Sequence, residues 1–196
     1  MSESAAVAAP VIVVSGLPRS GTSLMMNMLQ AGGVPIVTDE LRTADDDNPK
    51  GYFELEQVKQ LSRGDVAWVH DAHGKAVKVI SALLEHLPPT SSYKILFMRR
   101  RLPEVLASQK KMLERRGEPT DTVPDAMMAS LFEKHLAKIE AWMAAQSNMS
   151  VLYLPYHEVA EQPEKHVDEI ISFLGLPLDR QKMLEAVDPS LYRNRA

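Results

Sequence analysis

The amino-acid sequence predicts an α/β protein in which a central parallel sheet of about four to five strands is covered by helices on both faces. Two observations lead to this prediction, the alternation of two residue patterns along the chain and its length and composition. Short β-branched runs alternate with segments that repeat apolar residues at helical spacing. The chain has 196 residues, of which 45% are hydrophobic and 24% charged. This length favours one domain, able to bury roughly 70% of its unfolded surface.

The elements of the first half follow from apolar patterning and from glycine. Residues 1–10 are rich in alanine and predict a flexible tail ahead of a single domain over 11–196. The β-branched run 11–15 ends at glycine and predicts a buried strand, whereas 22–30 predicts a helix that ends at Gly32. The segment 38–51 is acidic and rich in turn residues, which predicts a mobile loop. The remaining predictions are a short strand at 34–37, helices at 54–63 and 82–86, and a strand at 76–80.

The second half repeats the alternation. The apolar runs 93–98 and 151–154 predict two further strands. Helices are predicted at 102–115, 125–146, 164–174 and 179–186, where apolar residues recur at helical spacing. Because the carboxyl ends of parallel strands meet at one edge of a sheet, we expect ligands to bind at that edge.

Charge and composition exclude several functional classes. A net charge of −4 and an isoelectric point near 5.9 argue against general nucleic-acid binding. The chain has no cysteine, which excludes disulfides and thiolate metal sites and is compatible with the cytoplasm, the predicted location. No apolar run approaches the roughly 18 residues that a membrane span needs, and no signal peptide is recognisable.

The turn after the first strand carries the strongest functional signal. Gly16, Gly21 and Ser23 match the spacing of the phosphate-binding loop G-x-x-x-x-G-K-[ST], which makes the predicted fold a P-loop-type three-layer sandwich. Position 22 is threonine instead of lysine, and the cation of the loop is Arg19. Backbone amides and a helix N-terminus converge on an anion in such a loop. The predicted ligand-binding residues are Pro18, Arg19, Ser20, Gly21, Thr22 and Ser23; the alternative is a turn that only eases packing.

A second anion site is predicted where the third strand ends. Arg100 follows this strand, and Ser108 lies eight residues later, in the second turn of the predicted helix. An arginine and a serine so placed can clamp one anion. The alternative is a solvated basic run beside a surface serine.

Three further residues are candidates for proton transfer or charge stabilisation. Glu40 and Glu54 flank the acidic loop and are candidate general bases, with solvated carboxylates as the alternative. Lys78 lies inside an apolar strand, facing away from Val77 and Val79, and needs a partner if both faces of the sheet are covered. No metal site is predicted, because the histidines lie scattered along the chain.

With these residues in place, the chain resembles the sulfotransferases over residues 11 to about 176. Residues 17–23 are similar to the family's 5′-phosphosulfate loop, and Arg100 with Ser108 is similar to its 3′-phosphate clamp. Weaker similarity lies at 156–158 and 173–176. The resemblance implies a sulfuryl donor, 3′-phosphoadenosine 5′-phosphosulfate, no obligatory metal, and in-line transfer to a hydroxyl or amine of a small-molecule, carbohydrate or lipid acceptor.

The resemblance also implies residue roles. The spacing of the family's tyrosylprotein branch places the base at Glu40, with Glu54 as the alternative, and the catalytic lysine at Lys78. Arg19 would stabilise charge on the departing phosphate. The family's C-terminal Arg/Lys-Gly segment has no match here, and Arg193 and Arg195 are the candidates to replace it.

Two other functions compete with this one. A P-loop kinase or nucleotide hydrolase would need a lysine at position 22 and a carboxylate for Mg²⁺ at the end of a strand. A non-catalytic module that binds a nucleotide bisphosphate would share the same phosphate sites. The sequence leaves the acceptor and the oligomeric state open.

Overall fold

A four-stranded parallel sheet forms the centre of the computed structural model, which describes residues 8–39, 51–120, 122–188 and 192. The strand order is β2-β1-β3-β4, and every neighbouring pair is parallel. The strands are β1 Val11–Gly16, β2 Ala76–Lys78, β3 Tyr93–Arg99 and β4 Met149–Pro155. The predicted parallel α/β sheet is therefore confirmed.

Helices cover both faces of this sheet, because the side chains of each strand alternate between two apolar cores. Ile12 and Val14 join the core that contains α1, whereas Val11 and Val13 join the core that contains part of α4. The α-helices are α1 Thr22–Ala31, α2 Trp68–Asp71, α3 Leu102–Arg115, α4 Asp125–Ala144, α5 Tyr156–Glu161, α6 Pro163–Leu174 and α7 Arg180–Glu185. Two 3-10 helices span Glu56–Arg63 and Ser81–His86.

The predicted strand at 34–37 is reduced to a single bridge. Ile36 pairs in parallel with Ala76 at the edge of β2, and the Val37 amide donates to the Ala76 carbonyl at 2.8 Å. Pro35 has no N–H to continue a ladder, which limits the pairing at this edge. The segment still matters for function, because it leads directly to Thr38 and Asp39 beside the candidate site.

Two other local differences concern short helices. The helices predicted at 54–63 and 82–86 are 3-10 helices, and α2 and α5 were not predicted. Each of these four elements has eight residues or fewer, too few for a clear apolar period. Residues 1–7, most of the predicted mobile loop, Glu40, and the C-terminal candidates Arg193 and Arg195 lie outside the described residues. Among the described helices, none is both long enough and apolar enough to cross a bilayer.

Candidate active site

The loop between β1 and α1 depends on two glycines. Gly16 has φ 146°, and a Cβ atom there would lie 2.4 Å from Ser20 Oγ and 2.6 Å from the Met98 carbonyl oxygen. Gly21 is the N-cap of α1 with φ 99°, and its Cβ would lie 2.2 Å from Cδ2 of Tyr156. Both positions exclude other residues by conformation and by space. The turn is therefore held tightly between β3 and α5.

The six predicted loop residues lie in different environments. Pro18 is exposed, and Thr22 and Ser23 occupy the first turn of α1, where backbone N–H groups lack partners within the helix. Arg19 has φ 70°, the left-handed conformation that a non-glycine residue seldom adopts. Such strain is typical of functional loops, where the surrounding structure holds a side chain in a required direction.

Ser20 is the buried polar group of this loop. Its side chain is 1% exposed, and its Oγ has no hydrogen-bond partner within the part of the chain that the structure describes. Ser20 lines a cavity of about 120 Å³ together with Leu17, Met98, Arg99, Arg100 and Leu136. An unsatisfied buried hydroxyl costs about 1–3 kcal/mol. A hydroxyl donor beside an arginine in a small cavity fits an anionic ligand.

The two predicted anion sites are in direct contact. Arg19 Nε donates to Ser108 Oγ at 3.0 Å, and Nη1 of Arg100 donates to the Arg19 carbonyl oxygen at 3.0 Å. Ser108 is 4% exposed and lies on α3, as the spacing predicted. The loop after β1 and the first two turns of α3 therefore form one basic site at the carboxyl edge of the sheet.

Arg100 is held by groups that the sequence analysis missed. Its Nε donates to Oε2 of Glu104 at 3.0 Å, and the side chains of Arg100 and Glu104 are 7% and 1% exposed. The Arg100 Cζ lies 4.5 Å from the centre of the Tyr156 ring, within the range of a cation–π contact. Burial raises the pKa of Tyr156, and the nearby Arg100 cation partly opposes this. Tyr192 OH donates to the other carboxylate oxygen of Glu104 at 2.7 Å.

Lys78 and Glu54 form a second group of charges near this edge. Lys78 aligns with Val14 of β1, and Val77 and Val79 lie in the opposite core. The Lys78 Nζ donates to the Tyr52 carbonyl oxygen and lies 3.6 Å from Oε1 of Glu54. The side chains of Lys78 and Glu54 are 9% and 26% exposed. The lysine therefore has the partner that its buried position requires.

An unusual turn presents Glu54 to Lys78. Phe53, the preceding residue, has φ 51°. Phe53 and Arg19 are the two non-glycine residues with positive φ among the described residues. The Glu54 carbonyl accepts from Thr38 Oγ1 at 2.8 Å and from the Asp39 amide at 3.2 Å. Both left-handed residues thus occur in segments that the sequence analysis selected as functional.

A buried serine–histidine pair lies at the same end of β2. Ser81 is 1% exposed, begins the 3-10 helix three residues after Lys78, and has its Oγ 2.8 Å from Nε2 of His135 on α4. No local sequence pattern predicts this pair, because its members are 54 residues apart. Among the described residues, no group of three or more His, Asp or Glu side chains is arranged to hold a metal ion.

The chain as a whole matches a known domain family. A family model described as "Sulfotransferase domain" matches residues 9–194, nearly the whole chain. The chain belongs to the sulfotransferase family. The resemblance stated from the sequence is thereby confirmed, as is the expectation of a transferase.

Solved structures share the fold of this sulfotransferase. The sulfotransferase domain of the Synechococcus PCC 7002 olefin synthase is 13% identical with a TM-score of 0.57, and the match covers 100% of this chain and 91% of that one. Sulfotransferase STF1 from Mycobacterium tuberculosis H37Rv is 17% identical with a TM-score of 0.54, and the match covers 93% of this chain and 71% of that one. Mouse sulfotransferase SULT7A1 complexed with PAP is 17% identical with a TM-score of 0.54, and the match covers 90% of this chain and 61% of that one. None of the curated protein sequences matches this chain significantly.

Proposed function

We propose that this sulfotransferase transfers a sulfuryl group from 3′-phosphoadenosine 5′-phosphosulfate to a hydroxyl or amine acceptor, which is a small molecule, a carbohydrate or a lipid. The observation that carries the proposal is the 3.0 Å hydrogen bond from Arg19 to Ser108, which joins two anion-binding segments. A ligand with phosphates at two separate positions suits such a double site. The mouse relative in complex with PAP is consistent with it.

The residues of the loop fit a 5′-phosphate. The orphaned hydroxyl of Ser20 and the backbone amides at the start of α1 are donors without partners inside their own elements. Arg19 supplies the positive charge of the loop. Arg100 and Ser108 would hold the 3′-phosphate, since an arginine and a hydroxyl both donate to phosphate oxygens.

The threonine at position 22 suits a sulfuryl donor better than a triphosphate. A sulfuryl group carries one negative charge fewer than a phosphoryl group at neutral pH, so its transfer needs less neutralisation. Triphosphate chemistry relies on the loop lysine together with Mg²⁺. The loop here offers Arg19 and no lysine. We therefore propose that donor binding requires no metal ion.

The acidic and basic pair at the end of β2 provides the chemistry at the acceptor. When bound, the donor supplies a sulfur atom whose bond to the phosphate oxygen breaks as the acceptor oxygen attacks in line. Glu54, or Glu40 in its place, accepts the proton of the acceptor hydroxyl; a positioned base contributes about 10²–10⁴-fold. Lys78 and Arg19 stabilise the negative charge that develops on the departing phosphate, and one preorganised donor of this kind contributes about 2.7–4 kcal/mol.

A thermal-shift panel tests the donor class. Adenosine 3′,5′-bisphosphate in the presence of EDTA is expected to stabilise the protein by about 2.7 kcal/mol at one hundred times its Kd. ATP with Mg²⁺ is expected to give no stabilisation. Stabilisation by Mg·ATP alone would overturn the proposal in favour of a kinase or nucleotide hydrolase.

Product analysis separates an enzyme from a binding module. The protein is incubated with the sulfuryl donor and a panel of phenol, sugar and lipid hydroxyl acceptors, and sulfated products are identified by mass spectrometry. A sulfated product that depends on Arg19 and Lys78 supports transfer. Binding of the bisphosphate without any product from the panel contradicts it. We also propose a cytoplasmic location, which the lack of cysteine fits.

A further inference from the structure

We propose that Tyr192 is a positioning residue for Arg100, and that it sets the affinity of the clamp for a 3′-phosphate. The inference rests on the proposed function, because it assigns a role to a residue outside both sequence motifs. Tyr192 lies 84 residues beyond Ser108 and yet contacts both Arg100 and Glu104.

The hydroxyl of Tyr192 fixes the carboxylate that orients Arg100. It donates to Oε1 of Glu104 at 2.7 Å, while Oε2 of the same carboxylate accepts from Arg100 Nε at 3.0 Å. Glu104 is 1% exposed, so water does not replace these partners readily. One buried carboxylate thus transmits the position of Tyr192 to Arg100.

The ring of Tyr192 completes an aromatic enclosure around the guanidinium. Tyr192 is 6% exposed, and its ring lies perpendicular to that of Tyr156 with the centroids 5.2 Å apart. The Cζ of Arg100 lies 4.5 Å from the Tyr156 centroid and 5.6 Å from the Tyr192 centroid. Both rings therefore present π-electron density to the same cation and limit its movement.

Arg101 competes for the same carboxylate. Its Nη1 lies 3.8 Å from Oε1 of Glu104, the oxygen that Tyr192 occupies, and its side chain is 54% exposed. Without the phenol, Glu104 is expected to turn toward Arg101. Nε of Arg100 would then lose alignment, while Nη1 still binds the Arg19 carbonyl oxygen. The clamp would keep its charge but lose its fixed direction.

The test is a set of binding measurements by calorimetry. Tyr192→Phe removes only the hydroxyl, and Tyr192→Ala removes the ring as well. Tyr93→Phe is the matched control, because Tyr93 is also buried and its hydroxyl donates to the Pro88 carbonyl at 2.8 Å, at the opposite end of β3. Each variant is titrated with adenosine 3′,5′-bisphosphate and, by competition, with adenosine 5′-monophosphate.

We expect Tyr192→Phe to weaken bisphosphate binding about three- to tenfold and Tyr192→Ala to weaken it further. Binding of the monophosphate should change less than twofold, and Tyr93→Phe should change neither. In an Arg100→Ala background, Tyr192→Phe should cause no further loss, because the effect acts through Arg100.

Three results would overturn the inference. The first is that Tyr192→Phe binds the bisphosphate as tightly as the wild type does. The second is that Tyr192→Phe loses affinity equally for the bisphosphate and the monophosphate. The third is that Tyr192→Phe causes the same loss of affinity in the Arg100→Ala background. Failure of the wild-type protein to bind the bisphosphate is a different result, because it overturns the proposed function itself and the inference with it.

Discussion

The Nε of Arg19 donates a hydrogen bond to Oγ of Ser108 at 3.0 Å, across 89 residues of sequence. Arg19 belongs to the glycine loop after β1, and Ser108 belongs to α3 after β3. Because β1 and β3 are adjacent parallel strands, both elements begin at the same edge of the sheet. The contact makes one site out of two motifs.

Removal of the Ser108 hydroxyl should weaken binding of adenosine 3′,5′-bisphosphate. A hydrogen bond to a charged group contributes about 1.5–3 kcal/mol, so Ser108→Ala should raise the Kd roughly ten- to hundredfold. Ser91→Ala is the control, because the Ser91 hydroxyl bonds His73 near the amino end of β3. Calorimetric titration checks both variants, and equal affinity of Ser108→Ala and wild type would contradict the assignment.

Glu104 should be essential for stability as well as for the clamp. Glu104→Ala leaves the buried Arg100 cation without its carboxylate, which typically costs about 3–5 kcal/mol. The control is Glu140→Ala, which removes the partner of the neighbouring Arg99. That pair is more exposed, so the expected cost is about 0–1 kcal/mol. Urea unfolding measures both; losses of equal size would contradict a stabilising role for the buried Arg100–Glu104 pair.

Gly21 should tolerate no side chain. Gly21→Ala combines a left-handed φ of 99°, which costs about 1–2 kcal/mol, with a Cβ placed 2.2 Å from the Tyr156 ring, and such overpacking adds about 1–3 kcal/mol. Gly33→Ala is a close control, since its φ is 97° and a Cβ there meets nothing within 4 Å. Thermal unfolding should separate the two variants. If both lose the same stability, Tyr156 does not hold the loop.

Lys78 and the glutamates should affect turnover more than donor binding. Lys78→Met should lower kcat about 10²- to 10³-fold with little change in the Kd of the bisphosphate. Lys94→Met is the control, because Lys94 is also partly buried and donates to the carbonyls of Phe173 and Leu174 away from the site. Glu54→Gln and Glu40→Gln are compared in the same assay, and near wild-type turnover in both would exclude a glutamate base.

The parts of this site that local spacing determines could be predicted from the sequence. A helix that begins at 102 places Ser108 in its second turn, and strand alternation separates Lys78 from Val77 and Val79. These relationships depend on fixed periods of 3.6 and 2 residues. The same periods predicted the order of the strands and helices and hence the parallel α/β sheet.

The remaining contacts depend on tertiary structure that no local pattern encodes. Phe53 adopts φ 51°, a conformation that non-glycine residues seldom adopt, and Oε1 of the next residue, Glu54, lies 3.6 Å from Nζ of Lys78. Tyr192 reaches Glu104 across 88 residues, so its role had no periodic signal. Glu104 lies in the first turn of α3, four residues after Arg100, which precedes the helix, and this short separation of opposite charges was visible in the sequence.

The central claim is that the joined loop and clamp bind one nucleotide that carries phosphates at two positions. Calorimetric titration of the metal-free protein with adenosine 3′,5′-bisphosphate, adenosine 5′-monophosphate and adenosine 3′-monophosphate tests it directly. The bisphosphate should bind about a hundredfold more tightly than either monophosphate. In Arg100→Ala the affinity for the bisphosphate should fall to the affinity for the 5′-monophosphate. Equal affinity for all three nucleotides, or no binding of the bisphosphate, would contradict the account.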